Sequence, residues 1–424
     1  MNFRAGVASR DVTPPAGTAM SGFAARQSPA TGAHDPLVVH ALVVDDTALV
    51  TIDVVGLHED DCGEIRRRCG LPEDKVVVHA THTHGGPVSM RGRLGDGVHE
   101  PWLAAVVDAA VTCVAEASVR QEPVHMTAGY GPGPGVARNR RRPGGPVDDT
   151  LPVVLLHRGD DSVLAAVVSY ACHPVVLGAD NTLFTADYPG VVRRVMAERL
   201  GAPVLFVTGC AGDANTGHTA AASISTAPSA TRTFTECERV GSQIAAAALA
   251  VVPGAVPARS GVAAVAGEVP LGLDVPDPAA TLAAVEGWER DLARADAARG
   301  ALLESWIAWG RGRLEQPRPA ATHLARVAAI RWGDAVLVSL PGEPFAAAAH
   351  EIRAYATHRA PGTTVAVAGY TNGCPGYLPT ADEYPHGGYE VCDAHRYYGM
   401  PGPFAAGSSE ALVRRARELL DDVL

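Results

Sequence analysis

Lysine is almost missing from this 424-residue chain: Lys75 stands alone, and the rest of the basic charge is arginine. Schiff-base chemistry and an S-x-x-K nucleophile are thereby excluded everywhere but at that position. Aromatic residues are also sparse, with seven phenylalanines and five tryptophans, and the net charge of −11 leaves no broad basic surface. A nucleic-acid partner would need such a surface or a stacking platform, so none is expected. The longest apolar stretches, such as 162–171 and 244–252, fall well short of a membrane span, and the N-terminus has no signal-type hydrophobic segment. The expectation is a cytoplasmic protein without a membrane partner. Eight cysteines are scattered with no C-x-x-C spacing, as reduced structural thiols would be. The glycine-rich stretch 209–217 lacks the G-K-[ST] of a phosphate loop, and no G-x-S-x-G elbow occurs, so nucleotide hydrolysis and serine-hydrolase chemistry fit poorly.

What is present is a hydrophobic content of 47%, enough to bury a large core. Apolar runs and helical spacings alternate along the chain. Strands are expected at 3–8, 37–44, 48–54, 75–80, 151–156, 163–171, 204–207, 325–330 and 335–340, with helices at 59–69, 101–117, 236–251 and 408–424. Glycine and proline crowd 129–146, predicting an irregular loop, and the Ala/Ser/Thr-rich segment 220–233 is the best candidate for a mobile surface loop. Dense charge on helical spacing at 278–314 predicts a helical hairpin laid on the outside of the sheet. The pattern is that of an α/β protein with mixed sheets flanked by helices, read as one unit over residues 1–424.

The most informative feature is the run Thr81-His82-Thr83-His84-Gly85-Gly86-Pro87, directly after an apolar strand. With a side-chain period of two, His82 and His84 would share a face, suited to a metal or a proton relay. Taken alone, the pair could equally be accessory histidines in a polar loop. Three further strands also end abruptly in short polar motifs: Cys172-His173-Pro174, Gly209-Cys210-Ala211-Gly212-Asp213 and Pro341-Gly342-Glu343-Pro344. Ligands collect beyond the carboxyl ends of strands in α/β sheets, so the four motifs are expected to converge on one site. Two histidines and a carboxylate form the ligand set of a catalytic zinc, although such wide separation is a weak motif by itself. Glu343 could instead cap the helix expected to begin at Pro344.

Together with Asp11-Val12-Thr13-Pro14-Pro15, Asn139-Arg140-Arg141 and Gly376-Tyr377, and in the same order, these motifs resemble the neutral/alkaline non-lysosomal ceramidase superfamily over nearly the whole chain. The resemblance implies a zinc-dependent amidase with one Zn2+ per chain. It implies His82, His173, Glu343 and Tyr377 as metal ligands, with His84 and Arg140 beside them to bind or polarise a substrate carbonyl. Tyr384 and Tyr389 compete with Tyr377 in the same tyrosine-rich stretch.

Two departures separate the chain from ceramidases. Their G-D-V-S-P-N loop carries a serine that acts at the scissile amide, where Asn215 stands here within Gly212-Asp213-Ala214-Asn215-Thr216-Gly217. An asparagine cannot be that nucleophile, but it can donate a hydrogen bond to an oxyanion, leaving attack to zinc-activated water. The ceramidase β-sandwich domain and a hydrophobic insert for docking on a bilayer are also not found. Both departures point to a small soluble amide as substrate rather than ceramide. The alternatives are acyl transfer or ring closure on the same metal site, and a non-catalytic metal- or ligand-binding protein. Arg138, Arg141 and Arg142 would ordinarily form a solvated cluster, or could bind a substrate carboxylate. Asp53, Asp187 and Asp213 could orient imidazoles or simply tie down their own turns.

Overall fold

The computed structural model describes residues 3–26, 28–218, 226–227, 229–251, 259–316 and 319–424, so half of the loop expected at 220–233 lies outside the described residues. Strands β1 (Phe3–Asp11), β2 (Val38–Val44), β3 (Thr47–Ile52), β4 (Val76–Ala80), β5 (Glu122–Gly131), β6 (Leu151–His157), β7 (Val163–Tyr170) and β8 (Val204–Thr208) form an eight-stranded sheet in the order β8-β7-β6-β5-β1-β2-β3-β4. Its central pairings are antiparallel, and each edge ends in a parallel pair, β3 with β4 and β7 with β8. Parallel neighbours need a crossover, and here it is helical: α1 (Glu59–Arg68) leads into β4, and α3 (Tyr188–Leu200) leads into β8. Helix α1 suits its own dipole, with Glu59, Asp60 and Asp61 in its first turn and Arg66, Arg67 and Arg68 in its last.

A second sheet contains β9 (Val262–Gly272), β10 (Thr322–Trp332), β11 (Ala335–Ser339) and β12 (Thr364–Ala368) in that order, β11 and β12 being parallel across helix α7 (Ala346–Arg359). The sheets meet face to face, with Leu42, Leu49, Met126 and Leu156 of the first packed in one cluster with Ile330, Trp332 and Leu337 of the second. Helix α2 (Glu100–Val119) covers the first sheet through Leu103, Val106 and Val114, and α3 with α4 (Phe234–Leu249) covers its far end through Val192, Met196, Val240 and Ile244. Ile352 of α7 and Leu412 and Leu420 of α8 (Ser408–Val423) close the second sheet. Each such side chain contributes about 1.5–3 kcal/mol on burial, so layering rather than surface pairing holds the fold.

Helix α2 corrects the reading of the apolar stretches: it is long and apolar enough by length and composition to span a membrane. Its apolar face is instead spent on the sheet, where Ala110, Cys113 and Val114 are fully buried. Strands β5, β9 and β12 and helix α3 were not anticipated, and β5 runs through Gly131 into the segment expected to be loop. Half-buried β9, built from Val, Ala and Gly, shows neither a continuous apolar run nor a clean alternation.

The two edges of the large sheet are tied to each other at their carboxyl ends. His79 on β4 accepts a hydrogen bond from the Thr208 amide on β8 (3.0 Å), while its Nδ1–H donates to the Gly369 carbonyl just beyond β12 (3.1 Å). Burial pushes the His79 imidazole down to about 3, keeping it the neutral bridge this geometry needs. The ends of β4, β7, β8, β11 and β12 therefore open onto one place.

Candidate metal centre and substrate cavity

Beyond β4 the chain does not remain extended. His82 adopts a left-handed backbone (φ 66°), held by amide bonds from Thr81 to Ile52 O and from His82 to Val54 O, both 2.9 Å. Strand alternation is therefore not what brings the two histidines together; the left-handed turn does so, leaving His82 Nε2 3.3 Å from His84 Nε2. A non-glycine residue held there costs of order 1–3 kcal/mol and persists only when its surroundings fix it. They do so from below: Thr81 donates to Asp53 (3.0 Å), and Asp53 is clasped by Arg193 at 2.6 and 2.5 Å in a fully buried ion pair.

Three imidazoles converge through Nε2. His82 and His173 stand 3.0 Å apart, and His84 completes a group whose ligand atoms lie within 4.8 Å of one another. Each ring has its Nδ1 on a backbone carbonyl: Val55 O at 2.5 Å for His82, Gly22 O at 2.8 Å for His84 and Ala211 O at 2.7 Å for His173. A carbonyl only accepts, so each Nδ1 carries the proton and each neutral ring turns an Nε2 lone pair toward the others. Burial holds His84 well below its usual range and His173 at about 4.

Glu343, fully buried, completes the cluster. Its Oε1 accepts from the Tyr398 hydroxyl, while Oε2 lies 3.0 Å from His173 Nε2 and 3.4 Å from His82 Nε2 without a hydrogen-bond partner. Lone pairs crowded around an ionised carboxylate repel one another unless a cation lies among them, and two or three imidazoles with a carboxylate are a donor set for zinc, iron or manganese.

Tyr377 arrives by register, since Glu343 and Tyr377 are paired in a short parallel bridge. Gly342 makes the approach possible: at φ 65° it lies so close to Gly376 that a Cβ would sit 2.5 Å from the Gly376 carbonyl. The Tyr377 ring lies parallel to His173 (6.4 Å between centroids), with the Arg140 guanidinium 5.3 Å from its centre. Arg140 is held by Glu390 (2.9 Å) and by donation to Gly212 O (2.9 Å). Sequence reasoning missed Tyr370, which stacks on His82 at 4.0 Å, and Tyr398 and Glu390, which hold Glu343 and Arg140. The only signal was the density of tyrosine after residue 369.

Other candidates lie apart from the cluster. Asn215 closes its own turn, its amide donating to His218 O (2.7 Å) and accepting from the Gly217 and His218 amides, and it is not among the residues lining the cavity. Asp213, not Glu343, caps α7 by accepting from the Ala346 amide (2.9 Å). Asp187 caps α3, and Tyr384 donates to Phe404 O. The arginine run is divided: the Arg141 side chain is buried on Glu383 and Glu390, Arg142 binds Glu383 from a partly exposed position, and exposed Arg138 donates to backbone carbonyls.

A cavity of about 840 Å³ opens onto His84, Arg140 and Tyr377. Its outer wall corrects the placement of the helical hairpin. Helices α5 (Pro278–Leu292) and α6 (Ala297–Glu315) do form one, but α6 roofs this cavity with Leu302, Trp306 and Trp309 instead of lying outside the sheet. Trp306 Nε1 donates to the Tyr397 hydroxyl (3.0 Å) and Trp309 Nε1 to Met400 O (2.9 Å). Arg396 lies 5.0, 4.5 and 5.7 Å from the Trp288, Trp306 and Trp309 rings, so three of the five tryptophans pin the roof.

No protein-family model and no curated protein matches this sequence. Solved structures do match its fold. A ceramidase complexed with C2 superposes with a TM-score of 0.76 at 16% identity, covering 99% of this chain and 75% of that one. Neutral ceramidase from Pseudomonas aeruginosa gives 0.74 at 17% identity, covering 100% and 75%. The chain thus has a neutral-ceramidase-type fold, corresponding to three quarters of each of those proteins. Within it, His82, His84 and His173 form a group able to hold a metal ion.

Proposed function

We propose that this protein is a cytoplasmic, zinc-dependent amidohydrolase that cleaves the carbon-nitrogen bond of a small soluble amide. The observation that carries the reading is the buried cluster itself: lone pairs of tautomer-fixed imidazoles facing the unpartnered Glu343 Oε2. His82, His173 and Glu343, with Tyr377 beside them, would hold the ion. A bound divalent ion supplies Lewis-acid polarisation of a carbonyl and lowers the pKa of water.

The remaining chemistry falls to side chains at the cavity's inner end. His84 is the one imidazole of the three that lines the cavity; with His82, His173 and Glu343 on the ion, its Nε2 would take a proton and return it to the leaving amine. Arg140, kept cationic by Tyr377 and Glu390 against the effect of burial, steadies the developing oxyanion. The oxyanion role considered for Asn215 passes to Arg140, because the Asn215 amide is occupied in its turn. Aromatic and apolar walls from Phe23, Leu302, Trp306 and Trp309 exclude water and take an apolar portion of the substrate. Seven of the eight cysteines are buried free thiols, which suits a reducing compartment.

Chelation should abolish hydrolysis of an amide panel and zinc should restore it; undiminished turnover by metal-free protein would overturn the proposal. A second reading, acyl transfer to an amine, draws on cavity size, because about 840 Å³ accommodates an acyl donor and an acceptor together. Product analysis in the presence of added amines separates the two.

A further inference from the structure

Of the charged groups lining the cavity, most are matched. Arg140 faces Glu390 at 2.9 Å, and Arg396 pairs with Asp393 at 2.6 Å. At the rim, exposed Asp96 and Arg299 carry opposite signs. Arg26 is different. It is buried, lines the cavity with His84, and hydrogen-bonds only backbone carbonyls; Asp180 acts on its charge without forming an ion pair with it. Its Nη1 donates to Ser21 O (2.8 Å) and to His84 O (2.9 Å), its Nη2 donates to Gly178 O (3.1 Å), and its Nε is buried without a partner. The guanidinium is positioned by these carbonyls and by the Phe23 ring 4.9 Å away, so its orientation is fixed in advance while no carboxylate pairs with it directly.

A buried cation on a ligand-binding wall with no carboxylate in direct contact is costly, and a ligand that supplies the anion offsets that cost. Guanidinium is also the group best matched to a carboxylate. We infer that the substrate is an anionic amide, carrying a carboxylate within a few bonds of the scissile carbonyl, and that Arg26 is the residue that recognises it. An N-acyl amino acid has this form: its carboxylate sits two bonds from the amide nitrogen, and Arg26 and His84 line the same cavity. This rests on the amide-hydrolase reading and narrows it to substrates with one negative charge.

The test is calorimetric binding of N-benzoylglycine and its neutral methylamide to the folded, metal-depleted protein, followed by hydrolysis assays of the same pair with zinc restored. The carboxylate should bind at least about tenfold more tightly, equivalent to about 1.4 kcal/mol, and the ratio should collapse in Arg26→Gln while Arg26→Lys retains part of it. Equal affinities in the parent protein, or a ratio unchanged by Arg26→Gln, would overturn the inference whatever the folding of the variants. Discrimination in binding without hydrolysis of either compound would sustain the anionic ligand and count against amide hydrolysis. Hydrolysis with preference for the methylamide would do the reverse.

Discussion

The inner site and the outer wall of the cavity are built by opposite means. His82, His173 and Glu343 are fully buried, stand at the ends of strands, and have their outward polar atoms fixed by backbone carbonyls and Tyr398, while the Nε2 atoms and Glu343 Oε2 are left facing one another. The roof, by contrast, is a helical hairpin inserted between β9 and β10, held by indole N–H bonds and by Arg396 among three tryptophans. A layered core that ties two sheet edges together fixes the chemistry, while an inserted element shapes what reaches it. The same fold can therefore keep a metal centre and change its substrate.

Disturbing the inner region should have the largest effects. Replacing His173 or Glu343 by alanine should abolish stoichiometric metal binding and lower turnover by about 10³-fold or more, read by elemental analysis and steady-state kinetics. Asp53→Asn leaves Arg193 buried without its partner and should cost about 3–5 kcal/mol in denaturant unfolding. The sign of its acid dependence follows from the same pair. Burial alone would raise Asp53, but Arg193 outweighs it and lowers the carboxyl. A carboxyl depressed in the folded state contributes stability above its unfolded pKa of about 3.9 and loses it as pH falls through the folded value. Parent protein should therefore lose stability below about pH 4 through this group, and the asparagine variant should lack that component of its pH profile.

Smaller effects should separate support from coordination. Tyr398→Phe removes the hydroxyl on Glu343 Oε1 but no metal-facing atom, so zinc affinity should fall about 10–100-fold while binding at saturating metal persists. At the roof, Trp306→Ala should raise KM and reduce kcat/KM by about tenfold with metal content unchanged. Loss of metal in Trp306→Ala would break the proposed division between the two regions.

Legibility in the sequence follows the same division. Apolar strands ending in Thr81-His82-Thr83-His84, Cys172-His173-Pro174 and Pro341-Gly342-Glu343 reveal both the strand and the polar group at its end, because a fully buried strand must be apolar until the chain leaves the sheet. Strand periodicity does not explain the histidine pair even so: a left-handed turn at His82, which no periodicity signals, replaces alternation. Arg141 resembled a solvated charge because its partners Glu383 and Glu390 lie some 240 residues away, with |i−j| of 242 and 249. Helix α6 read as an outer helix for a similar reason, since its contacts Tyr397 and Met400 are each 91 residues downstream. Elements are written in local patterns; what they face is decided by topology.

The account stands or falls on the cluster of His82, His173 and Glu343 being a metal centre. The most direct measurement is the metal content of protein purified without added metal, beside Glu343→Gln, which keeps the side chain's size and removes its charge. About one zinc per chain in the parent and none in the variant is the predicted result. A folded parent that holds no metal as purified, and binds none when zinc is supplied, would contradict it.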